Sequence, residues 1–351
     1  MSLLSLLPYS SLSPEQISIV QGRVDSSLII EGGPSSGKTS TLLHIMLYLK
    51  HMDEREEKSF LFITPTSLFK RILDSELSDK SISCHTDTMF HFLKYPKQYD
   101  YIFIDDCHRY TLTGLEKVRQ YGGKFYLACD FSHPLIDGYY LGNNRQSDME
   151  LPPAQGITEL FGASIYCLHY TFLSFSNLIG ILRGRQSYPL HFENNPFKCF
   201  VYKVDSVLEA CRFISSFISS CNAEDVGILS YTREGVQEAD AIFQELGHCT
   251  NTFLPWVDGI DTFDLAKKHA SLLTIKGSMG LHFQHVFILP HGGSLDWDSF
   301  EIAVSRANQT TTFFYETELM EPLSSHMDCF NNLTMPSAIN NSSSDEASIS
   351  F

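Results

Sequence analysis

The sequence predicts an α/β protein built from two lobes, each with a parallel β-sheet. Short apolar runs typical of buried strands alternate with segments in which apolar residues recur at helical spacing. Residues 131–157 interrupt this alternation with a stretch rich in Gly, Asn, Ser, Asp and Pro, after which it restarts. We therefore predict a first lobe over residues 1–157, a second lobe over 158–322, and a polar, disordered tail over 323–351.

Each element follows from its local pattern. Ser13, Pro14 and Gln16 match a helix start in which Ser13 caps the helix and Gln16 reaches back to the cap. In the first lobe, apolar runs predict strands at 28–30, 60–63, 82–85, 101–104 and 125–128, with helices at 40–49 and 67–77. In the second lobe, the patterns predict strands at 200–204, 226–231, 272–275, 285–289 and 311–315, with helices at 174–182, 206–219, 234–246 and 298–307.

Composition narrows the classes of function. The 351 residues are 43% hydrophobic and 19% charged, which is ordinary for a globular protein, and no apolar run is long enough to span a membrane, so we expect a cytoplasmic protein without a membrane partner. A formal net charge of -16 opposes broad binding of nucleic acid, so any such contact must come from a local groove. The nine cysteines form no C-x-x-C pair, and we expect reduced thiols rather than a disulfide or zinc framework.

The segment 31–40 predicts a phosphate-binding loop. Gly32, Gly37, Lys38 and Thr39 fit the pattern G-x-x-x-x-G-K-S/T between a predicted strand and a predicted helix. In such a loop the backbone N–H groups face an anion, while the lysine supplies a charge and the threonine a hydroxyl for Mg²⁺. We expect it to hold a nucleoside triphosphate. The residues predicted to line the nucleotide are Gly32, Gly33, Pro34, Ser35, Ser36, Gly37, Lys38, Thr39 and Ser40.

The predicted strand 101–104 runs directly into Asp105 and Asp106. An apolar strand that ends in two acids is typical of a magnesium site, because Mg²⁺ prefers oxygen ligands beside the phosphates of a bound nucleotide. We therefore predict that Asp105 and Thr39 hold Mg²⁺.

Taken in order, the motifs resemble those of the UvrD/Rep-like group of superfamily 1 helicases. The likeness extends from about residue 11 to residue 315. The similar segments are Thr64-Pro65-Thr66, Asp105-Asp106-Cys107-His108, Cys129-Asp130-Phe131-Ser132-His133, 168–177, 274–287 and Ala303-Val304-Ser305-Arg306-Ala307. The resemblance implies two tandem RecA-like P-loop NTPase lobes with ATP and Mg²⁺ as cofactors and single-stranded DNA as a partner.

The resemblance also implies roles for individual residues. The implied catalytic residues are Lys38, Asp106, His133 and Arg306, with Asp106 orienting the attacking water. Gln16 would read adenine, for which helix capping is the alternative, and Gly280 would line the nucleotide. The residues implied at nucleic acid are Pro65, Thr66, Thr86, Tyr139, Tyr140 and Thr274. Alternatives are local hydrogen bonds for the histidines, packing of a loop for the two tyrosines, and a helix salt bridge for Arg306.

Several positions depart from the pattern of that group. Asp106 replaces a glutamate, and His108 and His133 replace two glutamines. Leu173 stands where the first arginine finger is expected, and leucine donates nothing to a phosphate. Met279 replaces a lysine. The motifs also follow one another at short spacing, so the large accessory subdomains of such motors are absent or trimmed.

Two functions follow. The first is a compact ATPase that couples hydrolysis to binding or movement along single-stranded DNA, in DNA repair or defence. The second is a hydrolysis-deficient, ATP-binding subunit that regulates a partner protein such as a nuclease. The intact phosphate-binding loop, Asp105 and Arg306 favour the first, whereas Leu173 and Met279 favour the second.

Overall fold

Two six-stranded β-sheets, with helices packed on them, form the protein. In this computed structural model the described residues are 9–22, 25–33, 35–53, 57–131, 154–169, 198–254, 263–264, 266–290 and 297–317. Every strand pair in both sheets is parallel, which confirms the predicted α/β class with two tandem RecA-like lobes.

The first sheet has the strand order β3-β2-β4-β5-β1-β6. Its strands are β1 (Leu28–Gly32), β2 (Phe60–Thr64), β3 (His85–Thr88), β4 (Tyr99–Ile104), β5 (Gly122–Cys129) and β6 (Ser164–Leu168). Its helices are α1 (Pro14–Gly22), α2 (Lys38–Met52), α3 (Ser67–Asp79), α4 (Met89–Lys94), α5 (Leu112–Arg119) and α6 (Ala154–Phe161). The predicted strand at 82–85 lies three residues later, and α4, α5, α6 and β6 were not predicted.

Local sequence explains where the helices begin. Ser13 and Gln16 form the predicted reciprocal cap, because the Ser13 N–H donates to Gln16 Oε1 at 2.8 Å and the Gln16 N–H to Ser13 Oγ at 3.2 Å. Thr66, Thr88 and Thr111 cap α3, α4 and α5 in the same way, each accepting a backbone N–H through its side chain. These caps set the points at which the chain turns back after each strand.

The first lobe extends further than the sequence predicted. β6 pairs in parallel with β1, with Leu28 opposite Ser164 and Gly32 opposite Leu168. The predicted boundary between residues 157 and 158 falls inside α6, whose Ile157 and Phe161 belong to a first-lobe core. The predicted boundary was too early because β6 is an edge strand whose residues are mostly exposed, and its pairing with β1 depends on contacts that the local sequence does not reveal.

The second sheet has the strand order β7-β12-β11-β8-β10-β9. Its strands are β7 (Lys198–Lys203), β8 (Val226–Ser230), β9 (Asn251–Thr252), β10 (Ser271–Thr274), β11 (Phe283–Ile288) and β12 (Ala307–Tyr315). Its helices are α7 (Val207–Ser220), α8 (Arg233–Glu245) and α9 (Trp297–Val304). The predicted helix at 174–182 and the predicted tail lie outside the described residues.

The hydrophobic core is continuous from one lobe to the other. Phe62 and Phe69 of the first lobe belong to the same buried cluster as Leu273 and Phe283 of the second, and separate clusters cover the far face of each sheet. The tightest approach is at Gly280, where an added Cβ would lie 2.8 Å from the Phe69 ring. Gly280 also has φ of +82°, a conformation that favours glycine.

A disulfide joins Cys107 to Cys129, contrary to the expectation of reduced thiols. Cys107 follows β4, and Cys129 ends the neighbouring strand β5. Adjacent parallel strands carry their ends to the same edge of the sheet, and this proximity cannot be read from cysteine spacing alone. Among the described helices, none is long and apolar enough to cross a membrane.

Candidate nucleotide site between the lobes

The predicted phosphate-binding loop links β1 to α2 at the carboxyl edge of the first sheet. Gly37 caps α2 in the left-handed region with φ of +85°, and Ser35 has φ of +57°. Lys38 is buried, and its Nζ donates to the carbonyls of Gly32 and Gly33 at 2.7 and 2.8 Å. The loop therefore curls around its own lysine. Pro34 lies outside the described residues.

Thr39 and Asp105 come together, as the magnesium prediction requires. Thr39 Oγ1 donates to Asp105 Oδ2 at 2.8 Å, although 66 positions separate them in sequence. Burial and the neighbouring Asp106 raise the pKa of Asp105 to about 7, while the Thr39 hydroxyl and Lys38 oppose the rise. A hydroxyl beside a carboxylate is a donor set that suits a hard cation such as Mg²⁺.

Asp106 projects from a turn with an unusual backbone. Its φ of +49° is rare for a residue with a side chain, although aspartate tolerates it better than most. Burial alone would raise the pKa of Asp106, but His108, Arg109, Lys38 and Arg306 together lower it. The carboxylate is therefore ionised at neutral pH and able to accept a proton.

His108 is buried under this turn and is neutral. Burial lowers its pKa to about 4, against the opposite pull of Asp106 and Asp130. Its Nδ1 accepts the backbone N–H of Asp130 at 3.1 Å, which ties the end of β4 to the end of β5. This contact is the local hydrogen bond that the sequence left as an alternative. His133, the other catalytic histidine prediction, lies outside the described residues.

Gln16 is fully buried and connects α1 to the loop. Its Oε1 accepts the Ser13 N–H, and its Nε2 donates to the Gly37 carbonyl at 3.2 Å. Both ends of the amide are thus engaged in this structure. The capping alternative is observed, and reading of adenine by Gln16 stays a prediction.

Arg306 is the second-lobe residue predicted to act on the nucleotide. It lies in the turn after α9 rather than on the predicted helix. Its guanidinium donates to three acceptors of its own lobe, namely Ile302 O at 3.1 Å, Leu281 O at 3.4 Å and Ser305 Oγ at 2.9 Å. Burial lowers its pKa to about 10, and Asp106 and Asp105 oppose that change, so the acids of the first lobe lie within electrostatic reach.

Arg109 also belongs to this site, although the sequence analysis did not select it. It is 4% exposed, and its Nη1 contacts Met279 Sδ across the lobes. The signal in the sequence was its position directly after the Asp-Asp-Cys-His segment. Gly280, predicted to line the nucleotide, lies against Phe69 of the first lobe.

The residues predicted at nucleic acid divide into three groups. Thr86 is buried and its hydroxyl contacts Asp74 on α3, so the structure contradicts the prediction that Thr86 contacts nucleic acid. Thr66 and Thr274 are partly exposed and accept the Phe69 and Gly277 N–H groups at 3.1 and 3.0 Å. Pro65 is buried in the turn after β2. The two predicted tyrosines, Tyr139 and Tyr140, lie outside the described residues, as does Leu173.

Two exposed aromatic residues near the same edge were missed. Phe90 on α4 and Tyr95 after it are 72% and 57% exposed, and Lys94 Nζ lies 5.1 Å from the centre of the Tyr95 ring. Since α4 begins directly after β3, Phe90 lies near the carboxyl edge of the first sheet, and Tyr95 follows the last residue of the same short helix. From sequence alone, an aromatic residue on a short helix is interpreted as a core residue, and only the folded structure shows that these two rings are exposed.

Known structures resemble this fold, whereas no family model and no curated protein matches the sequence. A crystal structure of the DUF1998 helicase MrfA bound to DNA aligns with a TM-score of 0.56 and 13% identity over 94% of this chain and 53% of that chain. The structure of the same helicase bound to DNA and AMPPNP aligns with a TM-score of 0.54 and 14% identity over 93% of this chain and 51% of that chain. The structure of an arterivirus nonstructural protein 10 helicase aligns with a TM-score of 0.46 and 14% identity over 89% of this chain and 63% of that chain.

The likeness to the two MrfA structures shows the fold, which is a helicase fold of two α/β lobes. The chain spans about half the length of the MrfA chains that it matches.

Proposed function

We propose that this protein is an ATP-binding and ATP-hydrolysing protein of the UvrD-like superfamily 1 type that couples nucleotide turnover to single-stranded DNA. The observation that carries the proposal is the hydrogen bond of 2.8 Å between Thr39 and Asp105, with Lys38 buried beside them. It joins two distant motifs into one oxygen-rich site next to a phosphate-binding loop.

Lys38, Asp106 and Arg306 would each have a different role in hydrolysis. Lys38 would leave the Gly32 and Gly33 carbonyls and pair with the terminal phosphates, and Asp106 would orient a water toward the γ-phosphorus. The water oxygen bonds to that phosphorus as the bond to the bridging oxygen of ADP breaks, and the water proton passes to Asp106 or to phosphate. Arg306 would stabilise the charge that develops on the transferred group.

Magnesium fits the donors that the site offers. Thr39 Oγ1 and Asp105 Oδ2 are hard oxygen ligands, and Mg²⁺ is usually held by one or two such groups together with phosphates and water. The described part of the chain contains no group of three or more His, Cys, Asp or Glu side chains that could hold a metal ion alone. When bound, the ion would neutralise charge on the β- and γ-phosphates.

Single-stranded DNA is the partner that the exposed aromatic residues support. Bases stack on exposed rings without sequence preference, so Phe90 and Tyr95 offer binding that does not depend on a basic surface. Such stacking suits a chain with a formal net charge of -16. Two of the helicase structures that share the fold were solved bound to DNA.

A second function is favoured by the contacts of Arg306. In this structure its guanidinium donates hydrogen bonds to three acceptors of its own lobe. A chain that keeps this state would bind ATP as a conformational switch without efficient hydrolysis. It would then regulate a partner such as a nuclease subunit.

Steady-state ATP hydrolysis, measured with and without single-stranded DNA beside direct nucleotide titration, tests these functions. We expect turnover that rises with DNA and that falls by about 10²- to 10³-fold in Lys38→Ala, since a phosphate-stabilising cation is lost. Lys80→Ala, which removes an exposed lysine at the end of α3, serves as the matched control. Tight ATP binding without turnover would support the regulatory subunit, and absence of nucleotide binding would overturn both functions.

A further inference from the structure

We propose that Gln16 is a positioning residue of the predicted phosphate-binding loop, and that the site binds magnesium nucleoside triphosphates through their phosphates without selecting the base. Under the proposed nucleotide-binding function, on which this inference rests, the substrate class of the site is then any nucleoside triphosphate. The role of Gln16 differs from the reading of adenine that the resemblance implies, because the side-chain amide is directed to the protein itself.

Gln16 is completely buried. It is 0% exposed, although it lies in the first turn of α1. Its Oε1 accepts the Ser13 N–H at 2.8 Å, and its Nε2 donates to the Gly37 carbonyl at 3.2 Å. A base can form hydrogen bonds only with polar atoms that it can approach, so an amide with no exposed surface does not read a base in this conformation.

The Gly37 carbonyl is the point at which Gln16 contacts the loop. Gly37 caps α2 in the left-handed region, with φ of +85°, and makes no side-chain hydrogen bond to the helix that it begins. Its carbonyl accepts three donors, namely Thr41 N–H at 2.9 Å, Thr41 Oγ1 at 2.9 Å and Gln16 Nε2 at 3.2 Å. Thr41 belongs to α2 itself, whereas Gln16 belongs to α1. The Gln16 contact therefore fixes the start of α2 relative to another helix of the lobe.

Helix α1 is itself anchored, which makes it a firm support for the loop. Ile19 on α1 belongs to the same buried cluster as Leu42 and Met46 on α2. At the start of α1, one oxygen of the Glu15 carboxylate accepts the His169 N–H at 3.0 Å, and the other lies 3.0 Å from His169 Nδ1. Since His169 follows β6, these contacts connect α1 both to α2 and to the strand beside β1.

The position of Gly37 decides how the loop meets a phosphate. Gly37, Lys38 and Thr39 mark the start of α2, where backbone N–H groups have no partner within the helix and face an anion. A fixed Gly37 carbonyl sets the direction of these N–H groups before the nucleotide arrives, and preorganised donors lose less entropy on binding. All nucleoside triphosphates carry the same phosphates, so this contribution of Gln16 is the same for every base.

Binding of Mg²⁺-ATPγS, Mg²⁺-GTPγS and Mg²⁺-tripolyphosphate to the full chain tests the inference, because tripolyphosphate carries phosphates without base or sugar. We expect the wild type to bind ATPγS and GTPγS with affinities within about threefold of each other. Gln16→Met keeps the length of the side chain but removes the donor to Gly37. We expect it to weaken binding of all three ligands by a similar factor, about fivefold to tenfold, since one hydrogen bond that holds the loop is lost.

Ser13→Ala is the matched control for the change at Gln16. It removes the Ser13 Oγ that accepts the Gln16 N–H at 3.2 Å, but it leaves both side-chain contacts of Gln16 in place. We expect Ser13→Ala to lower Tm through the weaker helix cap, while its affinity for the three ligands stays within about twofold of wild type. Equal losses of affinity in Ser13→Ala and Gln16→Met would overturn the positioning role, since the cap would then account for both.

A second variant covers the case in which Gln16→Met does not fold. Gln16→Glu keeps an oxygen that accepts the Ser13 N–H, as glutamate does in a capping box, but it removes the donor to Gly37. We expect the same uniform loss of affinity for the three ligands. Affinities that stay at the wild-type values in both variants would overturn the positioning role.

The pattern across the three ligands separates the remaining outcomes. A preference for ATPγS over GTPγS that disappears in Gln16→Met, with tripolyphosphate binding unchanged, would overturn the inference and assign the reading of adenine to Gln16. A strong preference that persists in Gln16→Met would overturn the proposed substrate class. Both outcomes leave the proposed function intact. Failure of the wild-type chain to bind any of the three ligands would overturn the proposed function and this inference together.

Discussion

The two sides of the candidate site differ in how far they are assembled. On the first lobe, hydrogen bonds connect the motifs to one another, from Gln16 to Gly37 and from Thr39 to Asp105. On the second lobe, Arg306 makes its hydrogen bonds within its own lobe, and Met279 meets the first lobe through an uncharged thioether. Under the proposed function, we therefore expect nucleotide to bind through the first lobe, and we expect hydrolysis to require the Arg306 side chain to leave its acceptors in the second lobe.

The strongest test of this comparison is Arg306→Ala. If the second lobe contributes only at the chemical step, turnover should fall about 10²-fold while ATP binding stays within a few-fold of wild type. We expect less than the full effect of an arginine finger because Lys38 and Arg109 keep two cations near Asp106.

Steady-state kinetics and a nucleotide titration on the same samples make this measurement. The conservative variant Arg306→Lys serves as the control, since it keeps the charge but not the fork of donors. A variant that binds ATP poorly yet turns over normally would contradict the division of labour between the lobes.

The contact between the lobes can be broken at Gly280. Its φ of +82° and the Phe69 ring at 2.8 Å from an added Cβ both oppose any side chain. We expect Gly280→Ala to lower the free energy of unfolding by about 2 kcal/mol, from backbone strain and displacement of the ring. Denaturant unfolding of the variant and the wild type would measure this loss in the free energy of unfolding.

Gly247→Ala is the matched control for the change at Gly280. Gly247 also has a positive φ, of +79°, but nothing lies within 4 Å of an added Cβ. The difference between the two variants therefore isolates the approach of the lobes from the strain of the backbone. Equal losses would mean that the Phe69 contact contributes nothing.

The smallest expected effect is a dependence of stability on pH. Burial lowers the pKa of His108 to about 4 and of His282 to about 3, so below about pH 6.5 the unfolded chain binds at these two residues two protons that the folded chain does not. Asp105, whose pKa is raised to about 7, binds one extra proton in the folded state. This proton cancels half of the difference in bound protons between the unfolded and the folded chain. Stability should therefore fall as pH decreases from 6.5 toward 4, by about 1 kcal/mol per pH unit.

Thermal unfolding between pH 7 and pH 5 would measure this dependence as a fall of a few degrees in Tm. His282→Gln, on the second lobe, removes one of the two histidines and should flatten the curve. His108→Gln should do the same on the first lobe. A curve that stays as steep in His282→Gln as in the wild type would show that His282 does not contribute to the acid sensitivity.

Much of this fold was predictable because its strands are central and apolar. β1, β2, β4 and β8 lie buried in the middle of their sheets, and continuous apolar runs mark such strands whatever their partners. The turn between β1 and α2 was predictable for a different reason, since its geometry depends on glycines at fixed spacing, with Gly37 at a positive φ.

The sequence was less informative where structure depends on distant partners. β6 is an edge strand with exposed residues, and its place beside β1 is decided by pairing rather than by composition. The resemblance implied a contact of Thr86 with nucleic acid, but the hydroxyl of this buried residue contacts Asp74 on α3. Arg109 escaped selection because its partner Met279 lies 170 residues further along the chain.

The order of strands in the first sheet has a consequence for biosynthesis. β1, which leads into the phosphate-binding loop, is the first strand of the sheet to leave the ribosome, yet its two neighbours β5 and β6 are the last two. Because translation starts at the N-terminus, one edge of β1 stays unpaired until β5 (residues 122–129) has emerged. The other edge stays unpaired until β6 (residues 164–168) has emerged. The nucleotide site is therefore among the last parts of the first lobe to form, although its sequence is among the first to be translated.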